Sequence, residues 1–542
     1  MRKKASRILG AILAGAMILG TMAGCGAEDV AGSDSAAVEN SVDDSADVEA
    51  TGITYPLDTD ETLSIAIVND KPIASVSKDI SATPFAKALA EQTGVDIEFI
   101  VVEDYNALNL MFAGGELPDI VWGRPYTNYS GGPSRAISDG VMVPLTEEEM
   151  NTYAPDYMAV INAGSEDVAR TIKTDDGEYI GFAIIQDEPE LQNASGMLLR
   201  ADWLREFNME VPTTPEELEA YLQACVDKGI EHPFPSQQMG PAIVYGYWTS
   251  PFGLVRADLY QVDGEVHCGY AEPEFKEVLT WFKSLADKGL MDTTFIQYEN
   301  GIYGDLQAVW HANIGGGIGT YMSTMEVERP EFDVVAMPSM TCTNGEISMS
   351  GQAGKPVGVT YCWITPACEN KELAMKFLNF CYTEAGHLLL NFGVEGESYT
   401  MVDGVPTYTE WITKNPDGLT MQQAMAQYNR AAVGGGPFVQ STVYAEQYFW
   451  RPQQREAAVT WSNHDGAKYR MPEFQVSELD AAEYSKIASD INTYIVEARV
   501  KFITGELSLD DYETVYLKTL EEMGLERYLE IIQEACDRYY AR

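Results

Sequence analysis

The chain has 542 residues, of which 45% are hydrophobic and 22% charged, and its 83 acidic and 35 basic residues give a formal net charge of −48. So large an acidic excess argues against a nucleic-acid partner, which is bound through clustered Lys and Arg. The length exceeds what one hydrophobic core supports, so it predicts two or more lobes.

The first 24 residues have the layout of a lipoprotein signal peptide. A basic start, MRKKASR, precedes the short apolar run ILGAILAGAMILG, and Met22-Ala23-Gly24-Cys25 resembles the bacterial lipobox. The pattern predicts cleavage before Cys25, acylation of its thiol and attachment to the extracellular face of the bacterial cell membrane. An uncleaved anchor is the alternative. Because the removed segment holds four basic residues and no acidic one, the mature chain carries a charge of −52.

Residues 25–58 are predicted to form a disordered acidic tether. Between Gly26 and Ala50 the chain consists mainly of Ala, Ser, Gly, Val and acids, and it has no Lys or Arg before Lys71. Such a composition cannot bury enough apolar surface to fold. The globular body is therefore expected to begin near the alternating stretch Leu63–Val68.

The body alternates strand-like and helical segments, which predicts α/β layers. The strand-like pieces are, in chain order, LSIAIV, DIEFIVV, DIVWG, YIGFAII, GMLLR, DVVAMP and GVTYCWI. In VPTTPEELEAYLQAC, Thr214 is an expected N-cap and Glu217 completes a capping-box pattern. In EPEFKEVLTWFKSLADKG, an apolar stripe that runs from Phe275 to Leu285 predicts a core helix that ends near Gly289.

Motifs for catalysis or metal binding are sparse. None of the five histidines falls in an HExxH pattern, and no GxSxG, Walker loop or complete GxGxxG is present. Asp175-Asp176-Gly177 is expected to be a hairpin turn and not an EF-hand loop. Apart from Cys25, the seven cysteines show no CxxC and are interpreted as buried small hydrophobes, with a disulfide as the alternative.

Glu395 and Glu397 in NFGVEGESY are a candidate catalytic pair. If the segment were extended, the two side chains would share a face with Cα atoms roughly 6.6 Å apart, close to the separation of carboxyls in inverting glycosidases. Structural support of the loop and contact with a ligand are the alternatives, and both are favoured over catalysis in a chain with so many acids.

Several longer motifs follow one another over nearly all of the chain after the tether. They are LPDIVW (117–122), DGEYIGF (176–182), LLRADWLREFNMEVPTTPEEL (198–218), GKPVGVTYCWITPACENKELAMKFLNFCYTEAGHLLLNFG (354–393), NFGVEGESY with the Asp403-Gly404 hairpin, and the ending KFITGELSLDDYETVYLKTLEEMGLERYLEIIQEACDRYY. In content and order they resemble the large lipoprotein branch of the family 1 extracellular solute-binding proteins.

This resemblance implies an α/β, two-lobed type II periplasmic-binding-protein fold with crossing hinge strands and a helical C-terminal region. Lobe one is expected at 59–182 plus 360–405, and lobe two at 183–355 plus 406–542. The crossings are expected near Tyr179–Ala183, near Pro356–Tyr361 and after Tyr399. Within the hinge strands, Gly181 and Gly358 are interpreted either as compliant points or as sites of close packing.

The resemblance also implies a monomeric receptor, not an enzyme, that captures an oligosaccharide or related solute and delivers it to ABC permease subunits. No cofactor is expected. Relatives of the alginate-binding kind carry a calcium loop after the helix that VPTTPEEL opens, whereas this chain reads CVDKGIEHPFPSQQ there. No metal site is therefore carried over.

Ligand-binding candidates are polar and aromatic residues at strand ends and in glycine-rich bends, because sugar sites combine flat aromatic platforms with fixed polar groups. They are Asn69, Asp70, Trp122, Arg124, Tyr126, Trp248, Trp310, Asn313, Trp363, Glu395 and Tyr399. Arg124 and Lys71 are candidates to bind a uronate carboxylate, with plain surface charge as the alternative. For each Trp, interior packing is the competing interpretation.

Two rival functions stay open at this point. One is an extracellular carbohydrate-active enzyme that uses Glu395 and Glu397. The other is a receptor of the same fold for a non-sugar solute, such as a peptide or vitamin, because fold does not fix function.

Overall fold

The computed structural model describes residues 52–68, 74, 77, 79–124, 129, 131–188, 191–192, 195–234, 246–293, 309–313, 333–340, 354–462 and 466–542. The predicted signal peptide, Cys25 and most of the predicted tether lie outside the described residues.

The described strands form a six-stranded sheet, a three-stranded sheet and two hairpins. In chain order they are β1 (Thr62–Val68), β2 (Asp96–Val102), β3 (Ile120–Gly123), β4 (Phe182–Ile185), β5 (Ser195–Arg200), β6 (Leu259–Val262), β7 (Glu265–Cys268), β8 (Val309–Asn313), β9 (Val334–Met337), β10 (Val357–Ile364), β11 (Tyr399–Val402), β12 (Val405–Tyr408) and β13 (Phe438–Val439). The large sheet has the order β13-β4-β10-β3-β1-β2, and the smaller one has the order β8-β5-β9.

Helices surround both sheets. The α-helices are α1 (Pro84–Thr93), α2 (Tyr105–Gly114), α3 (Gly132–Ser138), α4 (Glu147–Tyr153), α5 (Pro155–Ala163), α6 (Glu166–Thr171), α7 (Ala201–Phe207), α8 (Pro215–Asp227), α9 (Gly246–Thr249), α10 (Glu274–Asp287), α11 (Lys371–Phe380), α12 (Glu384–Asn391), α13 (Glu410–Thr413), α14 (Met421–Ala426), α15 (Thr442–Tyr448), α16 (Pro452–Trp461), α17 (Ala481–Thr504), α18 (Lys518–Glu522) and α19 (Leu525–Ala541). Single turns of 3-10 helix lie at Ile80–Ala82, Ser250–Phe252, Gly269–Ala271, Ala431–Val433, Gly466–Tyr469 and Leu509–Asp511, and a π-helix lies at Tyr512–Leu517.

Local sequence signals account for many of these helix ends. The Thr214 side chain accepts a hydrogen bond from the Glu217 amide at 3.2 Å, as an N-cap should. The predicted capping box is only half correct, because the Glu217 carboxylate accepts from Thr213 instead of Thr214. In α10 the expected stripe from Phe275 to Leu285 is buried.

The six-stranded sheet is mixed, with both parallel and antiparallel neighbours. β1, β2 and β3 run parallel, β10 runs antiparallel to both β3 and β4, and β13 runs parallel to β4. The sheet is therefore built by strands that arrive from distant parts of the chain, which is typical of a fold with crossing connections.

Two hydrophobic cores form around the two sheets. Core one covers the six-stranded sheet and includes residues such as Ile65, Val121, Phe182 and Leu390. Core two joins β5 and β9 to α7, α8, α10, α17 and α19, with Leu199, Phe282, Phe502 and Ile532 among its members. The chain passes from one core to the other after β4, after β9 and after α15.

The third passage lies later than the expected boundary at residue 406. Tyr408, Ile412, Met425, Phe438 and Tyr448 all pack in core one, although the resemblance implies that residues from 406 onward belong to lobe two. Only after α15 does the chain reach the smaller sheet, where α16 packs against β9. β4 also belongs to the first sheet, so the expected boundary at 182/183 falls inside it. The lobe limits as a whole stay a prediction.

The end of the predicted tether is already part of the body. The Tyr55 hydroxyl donates to the Lys376 carbonyl at 2.6 Å, and the Leu57 amide donates to the Thr93 carbonyl at 2.8 Å. The Tyr55 ring also meets Phe380 edge-on, with centroids 5.2 Å apart. The prediction of disorder up to residue 58 is therefore wrong for the segment from Tyr55. The contacts of one aromatic ring hold this segment on the folded body, although the composition of the tether is otherwise too polar to pack.

Polar bonds fix the strands at the crossings. The Gln186 amide donates to the Pro356 carbonyl at 2.7 Å, and the Gln440 amide donates to the Ile185 carbonyl at 2.9 Å, so that β4 is held between its two neighbours. The Gln186 side-chain amide also donates to the Gln440 side chain. Buried Asn391 adds to this by donating to the Val439 carbonyl at 2.9 Å.

The cysteines that the structure describes are free thiols. Cys225, Cys268, Cys362, Cys381 and Cys536 are buried and Cys368 is half-buried, as expected for small hydrophobes, while Cys342 lies outside the described residues. Among the helices of the described ranges, none combines the length and the apolar character that a membrane crossing needs.

Candidate functional site

The carboxyl ends of β1, β2 and β3 meet at one edge of the six-stranded sheet, where ligands bind in open α/β sheets. Arg124 follows β3 at this edge and is exposed. Its guanidinium carbon lies 5.1 Å from the ring centroid of Tyr105, the first residue of α2. A cation stacked on an aromatic face is held in place. The edge therefore offers a fixed positive charge.

Trp122, the near neighbour of Arg124, is buried at this edge and only 5% exposed. The Arg430 guanidinium carbon lies 5.3 Å from its ring centroid. Gly436, with φ 137°, covers the indole so closely that a Cβ there would lie 2.5 Å from a ring carbon. In this arrangement Trp122 packs inside the protein, which favours the packing interpretation over ligand contact.

Trp248 and Trp363 are interior residues as well, each 1% exposed. Trp248 lies in an aromatic cluster of core two, with ring centroids 5.1 Å from Phe234 and 5.8 Å from Trp281. Trp363 lies on β10, 6.1 Å from Phe112 between ring centroids. At both positions the structure favours the packing interpretation over ligand contact. Neighbouring elements cover both rings, and the sequence does not reveal their approach.

The acidic pair at Glu395 and Glu397 lies on a tight turn and not on an extended strand. The Gly396 amide donates to the Tyr399 carbonyl at 2.8 Å, the Glu397 amide donates to the Val394 carbonyl at 3.1 Å, and Gly396 has φ 82°. The geometry on which the catalytic hypothesis depended is therefore wrong. Both side chains are exposed.

The ring next to this turn is also structural. Tyr399 is 4% exposed, and its ring centroid lies 5.9 Å from that of Phe392. Burial, with a smaller contribution from the Glu395 carboxylate, raises the pKa of Tyr399.

The remaining candidates are only partly placed. Asn313 and Trp310 lie on β8, where Asn313 pairs with Ser195 and Trp310 pairs with Leu198. Asn69, Asp70, Lys71 and Tyr126 lie outside the described residues, so their roles stay predictions.

Sequence reasoning missed an exposed aromatic residue, Trp450, at the third passage between the cores. Trp450 is 51% exposed, and the Arg451 guanidinium carbon lies 4.8 Å from its ring centroid. Arg451 is the N-cap residue of α16, so the cation that lies over the ring stands at the start of a helix. The tripeptide Trp450-Arg451-Pro452, a ring followed by a cation at a helix start, is the signal that could have identified it.

Trp450 lies in the segment where the chain leaves core one and reaches the smaller sheet. Tyr448 just before it is buried in core one, and α16 just after it packs on the smaller sheet, where a Cβ at Gly196 of β5 would overlap the Trp461 indole. A flat ring at such a junction can meet a ligand that touches both lobes.

Within the described ranges, no cluster of three or more His, Cys, Asp or Glu side chains could hold a metal ion.

Comparison with known proteins adds a family model and several relatives. The model for "Bacterial extracellular solute-binding protein" matches residues 74–387. Lipoprotein LipO of Bacillus subtilis is 24% identical over 458 residues, which cover 80% of this chain and 85% of LipO. The fructooligosaccharide ABC transporter substrate-binding protein FusA of Streptococcus pneumoniae is 22% identical over 565 residues and is matched over 96% of each chain.

Solved structures agree in fold. FusA in complex with kestose has a TM-score of 0.69 at 19% identity, over 89% of this chain and 100% of that one. The alginate-binding protein AlgQ2 without calcium ion has a TM-score of 0.67 at 23% identity, over 88% and 99%. These likenesses confirm the two-lobed type II fold.

Proposed function

Because the chain belongs to the bacterial extracellular solute-binding proteins, we propose that its solute is an oligosaccharide, which it captures between its two lobes and delivers to an ABC importer. It acts as a monomer attached to the membrane through acylated Cys25. FusA is described as a fructooligosaccharide substrate-binding protein, and a second relative, YtcQ of Bacillus subtilis, as a polygalacturonan/rhamnogalacturonan-binding protein. Both names support a sugar polymer fragment as the ligand class.

One observation carries the proposal for this chain: half-exposed Trp450 is held by Arg451 at the junction of the cores. A half-exposed indole leaves part of its flat apolar face open to contact with a ligand. The apolar face of a sugar ring fits such a platform, while its hydroxyls bond to polar groups around it. Exposed Arg124 adds a positive charge at the edge of the six-stranded sheet.

The pair Glu395 and Glu397 does not support the alternative of a carbohydrate-active enzyme. Glu395 and Glu397 are exposed on a turn, and a water-excluding pocket, which catalytic acids and bases need for matched pKa values, does not surround them in the described ranges. We propose binding without turnover. Incubation of the protein with each bound sugar, followed by chromatography, should return the sugar intact.

The ligand class can be tested with a thermal-shift panel. The panel contains kestose, oligogalacturonides and mannose-containing N-glycan fragments, with maltodextrins and a dipeptide mixture for comparison. A ligand at about 100 times its Kd stabilises the folded state by about 2.7 kcal/mol, which is a readily measured shift in Tm. Stabilisation by the dipeptides alone would contradict the proposal.

Replacing Trp450 with Ala should weaken binding of the panel's best sugar by about 1–3 kcal/mol, or about 5- to 150-fold in Kd, because an aromatic platform is lost. Trp450→Phe should retain most of the affinity, since a flat ring remains. Val459→Ala, which removes another exposed apolar side chain from the adjacent helix α16, is the matched control and should bind like wild type. Isothermal titration calorimetry measures all three. Equal affinity of Trp450→Ala and wild type would remove Trp450 from the site.

Replacing Cys25 with Ala should release the folded body from the membrane fraction or block its processing, because the acylated thiol is lost. Cys368→Ala, which removes a half-buried thiol of the body, should leave membrane attachment unchanged. Fractionation and immunoblotting measure the distribution. A processed Cys25→Ala protein that stays on membranes would exclude a lipid anchor at this residue.

A further inference from the structure

A second set of contacts joins the two cores, separate from the three chain passages. On one side is the last part of α19, which is anchored in core two by Tyr528, Ile532 and Cys536. On the other side is the turn after α6, whose neighbours Val168 and Ile172 are anchored in core one. Every bond between these two segments therefore ties one core to the other.

The central group of these contacts is the Asp175 carboxylate, which lies in the predicted Asp175-Asp176-Gly177 turn. The Arg538 Nε donates to its Oδ2 at 2.9 Å. The Arg542 Nη2 and Nε donate to its Oδ1 at 2.6 and 2.9 Å. The turn is closed by a hydrogen bond from the Thr174 amide to the Glu178 carbonyl at 2.8 Å, and Gly177 within it has φ 82°.

Arg542 is also bonded to the backbone on the side of core one. Its Nη1 donates to the carbonyls of Arg170 and Lys173 at 3.0 and 2.7 Å, and its side chain is only 2% exposed. Next to it, the hydroxyls of Tyr539 and Thr171 lie 2.9 Å apart. A shielded arginine with several charge-assisted bonds is held more strongly than an ordinary surface ion pair.

A strap formed by residues 470–475 reinforces this junction. Its Gln475 is 4% exposed, and the Gln475 carbonyl accepts a hydrogen bond from Arg538 at 2.9 Å. The Gln475 side chain accepts from the Ser134 amide of α3 at 3.3 Å. At the other end of the strap, Arg470 pairs with Asp167 of α6 at 3.0 Å.

We propose that Asp175, Arg538 and Arg542 form an electrostatic latch that favours the relative arrangement of the two cores in this structure over other arrangements. A rotation of one lobe against the other must break or rearrange these bonds. Contacts present in only one arrangement set the populations of the arrangements, and thereby the apparent affinity for any ligand that selects one of them. The latch rests on the proposed function, because it presupposes lobes that move to capture a solute.

The test measures the distance between the cores without any sugar. Nitroxide labels are placed on Lys414→Cys, 72% exposed in the segment after α13, and on Lys518→Cys, 66% exposed on α18. Double electron–electron resonance then gives the distance distribution. Burial raises the pKa of the native Cys368 thiol to about 11, so it reacts slowly at pH 7. The chain without the two added cysteines measures the background.

In this doubly labelled chain, Asp175→Asn and Arg538→Gln should each change the ratio between the wild-type distance and other distances by about two- to tenfold, the order expected for loss of a half-buried charge-assisted pair. Raising NaCl to about 1 M should move wild type in the same direction, because the screening length falls to about 3 Å. The Asp175→Asn variant should respond less to salt.

Arg527→Gln is the matched control, since Arg527 lies on the same helix and is 36% exposed against 34% for Arg538. Its partners Asp480 and Glu483 lie at the start of α17, a core-two helix. Its distance distribution should match wild type. Unchanged distributions in both latch variants, or an equal change in Arg527→Gln, would overturn the latch.

If Asp175→Asn fails to fold, the Arg538→Gln variant and the salt series on wild type test the latch by the same change in the distance distribution. Because no sugar is present, failure of the chain to bind any oligosaccharide would contradict the proposed ligand class and leave the latch result standing.

Discussion

Trp248→Ala should lower the free energy of unfolding by about 3–5 kcal/mol, the usual cost of replacing a fully buried large aromatic ring with Ala. Trp248 is 1% exposed, and its ring meets those of Phe234, Trp281 and Phe282. Removing the indole leaves a cavity that these rings cannot fill without losing contacts with one another. Urea unfolding followed by circular dichroism measures the change.

Trp450→Ala is the natural comparison, because Trp450 is 51% exposed. A substitution at such a surface position usually changes stability by no more than about 0.5 kcal/mol. The two variants should therefore differ in what they lose. Trp248→Ala should lose stability, and Trp450→Ala should lose affinity for the sugar. A stable Trp248→Ala protein that no longer binds sugar would reverse the assignment and place Trp248 in the ligand site.

Gly181→Ala should destabilise the fold by about 2–6 kcal/mol. Gly181 precedes β4 with φ 137°, where a side chain is strained by about 1–3 kcal/mol, and a Cβ there would overlap the carbonyl oxygen of Cys362 on the neighbouring strand β10. Overpacking of this kind costs a further 1–3 kcal/mol or so. Because the obstacle is backbone, no side-chain rotation can relieve it.

Gly404→Ala isolates the two contributions. Gly404 also has positive φ, 80°, but nothing lies within 4 Å of the position that its Cβ would take. Only the conformational cost of about 1–2 kcal/mol should therefore remain. Equal losses in the two variants would show that close packing against β10 is unimportant, and would favour the alternative in which Gly181 serves as a compliant hinge point.

The same reasoning applies to Gly358 on β10, where a Cβ would overlap the Ile184 side chain. Both hinge-strand glycines therefore mark places where two strands approach closely. Any bending at the hinge strands therefore has to come from residues other than these two glycines. The proposed latch at Asp175 acts on the relative arrangement of the two cores.

The sequence by itself determined the features that depend on short-range physics. Alternating strands and helices gave the α/β class, Thr214 was recognised as an N-cap from its immediate neighbours, and the stripe from Phe275 to Leu285 identified a buried helix face. These signals are readable because each arises within a few residues, from hydrogen bonding at a helix start or from the period of one helix. The family resemblance then supplied the order of the elements.

Only the tertiary structure decided which aromatic rings are covered by other residues and which are exposed. Trp122 and Trp363 are covered by Gly436 and Phe112, which are distant in sequence, and Trp248 is covered by the Phe234 cluster, whereas Trp450 has no such cover over half of its surface. Composition and periodicity carry no information about contacts between segments separated by hundreds of residues.

Two further expectations differ from the structure, for different physical reasons. Glu395 and Glu397 looked like a pair on a strand, but the turn at Gly396 is held by its bonds to residues within the folded loop. Residues 406–449 looked like part of lobe two, but Tyr408 and its neighbours pack on Asn391 and Phe392 of core one. The first case is decided by hydrogen bonds within the turn, and the second by packing between elements, which a chain acquires only when it is folded.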